Sequence, residues 1–203
     1  LKTHAVVIVA TIRALKYHGG LKLSEMQKED LAALSNGFDN LDKHIENMRY
    51  YGFNPVISIN KFDTDTETEI DLLKKHCKSQ KVAVALNEGW LKGGEGAIGL
   101  ANMIVKAVNN CPHCLKPLYD LEWSFEKKIE TIANKMYGAD HVEYTVLAKQ
   151  QLKKIEELGL GNLAVCIAKT QKSLSDNEHK KGCPKGFTFK IREVELSSGA
   201  GFI

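Results

Sequence analysis

The chain has 203 residues, of which 43% are hydrophobic and 26% are charged, a composition that allows a globular protein to bury an ordinary core. The net charge of +3 and the lack of a Lys/Arg-rich run give no indication of nucleic-acid binding. The longest apolar runs have about six to eight residues, whereas a membrane-spanning helix needs about 20. Five scattered cysteines predict free thiols, and no secretory signal is visible, so we expect a cytoplasmic protein.

The first half of the chain alternates predicted strands and helices. Unbroken apolar runs predict strands that are buried on both faces, as in a parallel sheet. These strands cover residues 4–11, 55–60 and 81–86. Apolar residues at three- and four-residue spacing predict helices over 29–51, broken at Asn36-Gly37, and over 65–79 and 97–109. The alternation predicts a parallel doubly wound α/β sheet.

The second half has a different pattern. Amphipathic periodicity predicts helices over 124–136 and 145–158, and strand-like pieces follow at 163–168 and 187–196. These elements predict a smaller α+β region. We therefore expect residues 1–112 to form the parallel α/β portion and residues 113–203 to form the C-terminal region.

Cys111 and Cys114 lie in the tetrapeptide Cys-Pro-His-Cys, a spacing found at the active sites of thiol oxidoreductases. Such a site needs a strand before it and a helix directly after it. Here a predicted helix precedes the cysteines, and Leu115-Lys116-Pro117 follows, which disfavours a helix start. A surface loop is the structural interpretation, and a thiol redox protein is an alternative function.

The segment Asn60-Lys61-Phe62-Asp63 stands at the end of the second predicted strand. In this position Asn-Lys-x-Asp is the guanine-binding motif of P-loop GTPases. The chain contains neither the Gly-x-x-x-x-Gly-Lys-Ser/Thr phosphate loop nor an Asp-x-x-Gly switch. A GTP-binding module remains a second alternative function, and polar residues at the exit of a strand are the structural alternative.

Arg13 follows the first predicted strand, at the sheet edge where open α/β sheets bind ligands. Its planar guanidinium is suited to bind a carboxylate or a phosphate. The alternative is a structural salt bridge at the rim of the sheet. The sequence therefore predicts Arg13 as a candidate anion contact.

The segment from Val9 to Gly20, VATIRALKYHGG, closely resembles a signature of formate–tetrahydrofolate ligases. Further segments similar to that family follow in order along the chain. They are LYD at 118–120, KIETIA at 128–133, YGAD at 137–140, KTQ at 169–171, SLSD at 173–176 and GAGF at 199–202. The resemblance spans essentially the whole chain, and the Cys-Pro-His-Cys segment is not part of it.

The resemblance implies a folate slot with two aromatic walls. Phe62 matches the family's first wall, and Trp90, just before Lys92-Gly93-Gly94-Glu95-Gly96, matches the second. The cleft-lining or nucleotide-binding candidates are Asn60, Lys61, Gly93, Gly94 and Glu95. Asp63 stands where many members have Pro, and Asn87 and Gly89 also depart from the usual pattern.

The implied reaction joins formate to tetrahydrofolate at the expense of ATP and gives 10-formyltetrahydrofolate, with formyl phosphate as the intermediate. The implied cofactors are Mg²⁺ and a monovalent cation, and the implied assembly is a homotetramer. Both ends of the sequence look cut, so we expect a longer protein that carries the phosphate loop upstream of Leu1. We expect most catalytic residues to lie there and the 203-residue chain alone to be inactive.

Overall fold

A computed structural model describes residues 3–110 and 115–203. The chain divides into two compact units, Leu1–Lys116 and Pro117–Ile203. Within the described ranges, no helix combines the length and the apolar character needed to cross a membrane.

The first unit is built on a sheet of three parallel strands, β1 (Val7–Ala10), β2 (Val56–Asn60) and β3 (Ala83–Asn87), in the order β1-β2-β3. Ile57 lies opposite Ile8 on one side and Val84 on the other. The three predicted strands and their parallel pairing are thus confirmed. Each described strand of this sheet is added on the same side of the one before it. A doubly wound sheet needs a point where the strand order reverses, and the described strands do not include one.

The described residues of this unit form six α-helices, which connect or follow the strands. They are α1 (Ile12–His18), α2 (Leu31–Asn36), α3 (Phe38–Tyr50), α4 (Glu67–Ser79), α5 (Gly89–Lys92) and α6 (Ile98–Asn110). The predicted break at Asn36-Gly37 is confirmed, because α2 ends there and α3 begins at Phe38. Helix α1 was not among the predicted elements.

The main hydrophobic cluster of the first unit joins strands of the sheet to the helices α1 to α4. Ile57 and Ile59 of β2 are fully buried there against residues of those helices. The helical members of this cluster include Ile12, Leu15, Leu34, Leu41, Ile45 and Leu73. Helix α6 packs against β2 and β3 but contributes no fully buried residue.

The second unit combines two helices with two parallel strands. Helix α7 (Phe125–Ile132) continues into a wider π-helical turn at Ala133–Tyr137. Strand β4 (His141–Tyr144), helix α8 (Val146–Glu157) and strand β5 (Thr188–Ile191) follow, and β4 pairs with β5 in parallel. Both predicted helices, 124–136 and 145–158, are confirmed with small differences at their ends. Strand β5 lies within the predicted strand-like segment at 187–196.

The predicted strand at 163–168 is wrong as a regular strand. The segment forms a single parallel bridge, Ala164 with Phe202, and the backbone N–H of Cys166 donates to the carbonyl oxygen of Ile203. A strand needs a partner along its length, and among the described residues this segment pairs with the C-terminal residues only from Ala164 to Cys166. Strand β4, by contrast, was not predicted.

Candidate functional site

The parallel strands of the first unit place Thr11, Lys61 and Glu88 directly after their carboxyl ends. At this edge Asn87 Nδ2 donates to Asn60 Oδ1 at 3.0 Å, and the backbone N–H of Lys61 donates to the carbonyl oxygen of Asn87 at 3.1 Å. These bonds tie the ends of β2 and β3 together. The edge is the position where open α/β sheets bind ligands.

Phe62 sits in a short turn that Asp65 closes. The backbone N–H of Phe62 donates to Asp65 Oδ2 at 2.9 Å, and the N–H of Asp65 donates to the carbonyl oxygen of Phe62 at 3.0 Å. Asp65 is buried, and among the described residues no donor reaches its Oδ1. Burial raises the pKa of Asp65, and the hydrogen bond from Phe62 opposes that shift. The turn thus holds Phe62 at the edge of the sheet.

The guanidinium of Arg13 lies on the ring of Phe62. Its Cζ atom is 3.8 Å from the ring centroid. Phe62 is still 38% exposed with Arg13 in place. Arg13 belongs to the first turn of α1. The N-cap of this helix is Thr11, whose Oγ1 accepts a hydrogen bond from the N–H of Ala14 at 3.1 Å. The pair of side chains therefore joins the loops that follow β1 and β2.

A buried carboxylate links α1 to α4. Glu69 Oε1 accepts hydrogen bonds from Lys16 Nζ at 2.8 Å and from the N–H of Asp30 at 3.1 Å. Its Oε2 accepts from the N–H of Thr66 at 3.3 Å, and Thr66 Oγ1 accepts from the N–H of Glu69, which completes a capping box. Burial alone would raise the pKa of Glu69, but these hydrogen bonds outweigh it and lower the pKa.

Trp90 lies on the short helix α5, immediately after β3, and is 92% exposed. Two hydrogen bonds fix the helix to the end of β3 and the residue after it: the N–H of Gly89 donates to Asn87 Oδ1 at 3.0 Å, and the N–H of Lys92 donates to the carbonyl oxygen of Glu88 at 2.9 Å. A large aromatic side chain gains little from such a position unless a ligand or another surface covers it.

Two glycines shape the loop that follows Trp90. A Cβ atom at Gly96 would lie 2.5 Å from the carbonyl oxygen of Glu88, and the N–H of Glu88 donates to the carbonyl oxygen of Gly96 at 3.1 Å. Gly93 has a φ of +59° and a ψ of −143°, a conformation that side chains disfavour. Gly94 and Glu95 are exposed on this loop, which leads into α6.

The charges at this edge are paired with one another. Lys61 Nζ lies 2.7 Å from Glu67 and 3.9 Å from Glu88, and Glu88 also accepts from Lys92 at 2.7 Å. The hydrogen bond to Glu67 raises the pKa of Lys61, and the bond from Lys92 lowers the pKa of Glu88. Lys61 is thus engaged by carboxylates in this structure.

Among the predicted site residues, the structure brings Arg13 onto Phe62, and it places Asn60 and Lys61 at the end of β2, just before Phe62. Residues 111–114, the Cys-Pro-His-Cys segment, lie outside the described residues. The structural roles of Lys16, Asp65 and Glu69 were missed. The spacing Thr66-x-x-Glu69 was a signal for the capping box. No local sequence pattern predicts that Lys16 donates a hydrogen bond to Glu69.

A family model described as formate–tetrahydrofolate ligase matches residues 1–203. The chain belongs to the formate–tetrahydrofolate ligase family. Membership implies a carbon–nitrogen ligase of one-carbon metabolism whose substrates are formate and tetrahydrofolate. Neither alternative function, the GTP-binding module nor the thiol redox protein, is supported by this match.

Proposed function

We propose that this chain supplies the folate-binding part of an ATP-dependent formate–tetrahydrofolate ligase, with Phe62 and Trp90 as the walls of the pterin slot. The observation that carries the proposal is the exposure of Trp90, 92%, on a helix that is hydrogen-bonded in place at the carboxyl edge of a parallel sheet. A flat heteroaromatic ring needs apolar faces to stack on, and such stacking adds about 0.5–1.5 kcal/mol beyond the burial of area.

The residues around the two rings have supporting parts in this proposal. Asn60 and Lys61 line the cleft after β2, and Gly93, Gly94 and Glu95 line it after β3. The exposed glycines allow a ligand to approach the backbone closely. In this proposal the ammonium group of Lys61, which now pairs with Glu67 and Glu88, binds an anionic group of the substrate in their place.

The proposed chemistry has two steps. A formate oxygen attacks the γ-phosphorus of ATP, which releases ADP and gives formyl phosphate. The amine of tetrahydrofolate then attacks the formyl carbon, phosphate leaves, and the amine loses its proton to give 10-formyltetrahydrofolate. In this chain the aromatic walls would orient the pterin so that the amine reaches the formyl group.

The phosphate-binding residues are proposed to lie outside these 203 residues, because the sequence has no Gly-x-x-x-x-Gly-Lys-Ser/Thr loop. Nor do three His, Cys, Asp or Glu side chains converge on a metal position among the described residues. Mg²⁺ and a monovalent cation are proposed as requirements of the reaction because the family resemblance implies them. We assign no metal-dependent step to this chain.

The remaining parts of the proposal are supported by the family resemblance. We propose that residues 1–112 form the nucleotide- and folate-binding portion, that its sheet is part of a doubly wound, P-loop-like one, and that residues 113–203 form a separate C-terminal region. We also propose a cytoplasmic homotetramer, with the rest of its own polypeptide as a further partner of this chain.

Ligand binding at Trp90 tests the proposal directly. The chain has two tryptophans, so Trp123→Phe makes Trp90 the sole indole emitter. We expect saturable quenching of its fluorescence by tetrahydrofolate and none by p-aminobenzoylglutamate, which lacks the pterin. The matched Trp90→Phe variant, which keeps Trp123, should show no saturable change. Absence of saturable quenching at Trp90 would overturn the proposal.

A further inference from the structure

We propose that Arg13 is a positioning residue of the folate slot: its guanidinium backs one face of Phe62 and leaves the pterin the opposite face. The inference rests on the proposed function and assigns a residue to it that acts through another side chain. It also replaces a direct anion contact as the role of Arg13.

The contact itself is the first argument. Arg13 Cζ lies 3.8 Å from the centroid of the Phe62 ring, well within the roughly 6 Å of a cation–π contact. Among the described residues no hydrogen bond and no ion pair within 4.0 Å is formed by the Arg13 side chain; the Phe62 ring lies against its guanidinium, and the carboxylate of Asp65 attracts its charge. A cation over one ring face blocks that face to a ligand.

The exposure of Phe62 is the second argument. The ring remains 38% exposed although the guanidinium covers one side. The uncovered surface is what a pterin would use. Because Arg13 draws electron density toward its own face, the opposite face becomes a better partner for the electron-rich ring of a tetrahydropterin.

Arg13 and Phe62 are carried by two segments that a buried ion pair joins. Arg13 lies in the first turn of α1, and the turn that contains Phe62 precedes α4. The buried ion pair of Lys16 with Glu69, at 2.8 Å, joins these two helices, and both side chains are essentially inaccessible to solvent. A buried pair contributes little net stability but fixes geometry. It thus keeps Arg13 in register with Phe62.

A double-mutant cycle tests whether Arg13 acts through Phe62. In the Trp123→Phe background, the dissociation constant for tetrahydrofolate is measured for Arg13→Ala, Phe62→Leu and both together. We expect Arg13→Ala to weaken binding roughly two- to fivefold and Phe62→Leu roughly three- to tenfold. In the double variant, loss of Arg13 should add nothing, because its partner ring is already gone.

Additive losses would overturn the inference, because they indicate a direct contact of Arg13 with the ligand. Unchanged affinity in Arg13→Ala would also overturn it, whereas failure of the parent chain to bind tetrahydrofolate would instead overturn the proposed function. Arg192→Ala, in the second unit, is the charge-matched control and should bind normally. Should Arg13→Ala not fold, Arg13→Lys serves: it keeps the charge without the plane, so weaker binding supports stacking and full affinity contradicts it.

Discussion

Glu69 shows at the scale of a single residue how the fold supports the site. Its carboxylate is fully buried and accepts hydrogen bonds from an ammonium and two backbone N–H groups. A group whose pKa is lowered by folding stabilises the native state above its ordinary pKa, and that contribution disappears as the pH falls through the lowered value. The ordinary value for this carboxyl is 4.5.

We predict that Glu69→Gln lowers the free energy of unfolding by about 3 kcal/mol at pH 7, because Lys16 loses its charged partner in the interior. The loss relative to the parent should stay constant down to about pH 4.5 and shrink below it. Urea denaturation at a series of pH values measures the difference. Glu67→Gln, at an exposed ion pair on the same helix, is the control and should cost at most about 1 kcal/mol. A Glu69→Gln loss that persists unchanged in acid would contradict the account.

The candidate site could be predicted in part from individual residues. Phe62 and Trp90 stand in strings that resemble the family's, and their placement after strand ends follows from the pattern of apolar runs. The contact of Arg13 with Phe62 could not be predicted, because the two residues are far apart in the sequence and meet only where the segments that follow β1 and β2 come together. The orphan oxygen of Asp65 is likewise visible only in three dimensions.

At the scale of secondary structure, α4 is the element that most directly supports the Phe62 turn. Its capping box satisfies backbone N–H groups at both Thr66 and Glu69. We predict that Thr66→Ala lowers the free energy of unfolding by about 1 kcal/mol, with a corresponding fall in Tm. Thr68→Ala, an exposed position in the same helix, is the matched control and should leave Tm nearly unchanged. Equal effects of the two substitutions would argue against the cap.

The strands and long helices of the first unit could be predicted because their apolar periodicity is strong and their ends carry Gly, Thr or Asp. Helix α1 was not predicted because its seven residues are too few to show a helical periodicity of apolar positions. Strand β4 escaped for the same reason, with four residues that are only partly buried. The segment at 163–168 has an apolar, strand-like composition, but its pairing depends on where Phe202 and Ile203 come to lie.

For the molecule as a whole, we predict that the purified 203-residue chain makes no 10-formyltetrahydrofolate from ATP, formate and tetrahydrofolate. In the proposed function it supplies the pterin slot, but its sequence has no recognisable loop to hold a γ-phosphate. A formyl-transfer assay with ATP and, in parallel, with GTP measures this. Turnover with either nucleotide by the pure chain would refute the assignment of phosphate binding to residues outside it.

The central claim is that Trp90 is a ligand-binding residue and not a core residue. The most direct test is to compare Trp90→Ala with the parent in two quantities, the dissociation constant for tetrahydrofolate by calorimetry and the Tm. Loss of one stacking face should weaken binding at least several-fold, by analogy with the roughly 1–3 kcal/mol for bases on aromatic side chains. The Tm should barely change, because the side chain is 92% exposed. A variant that unfolds, or that stays folded and binds tetrahydrofolate as tightly as the parent, would contradict the account.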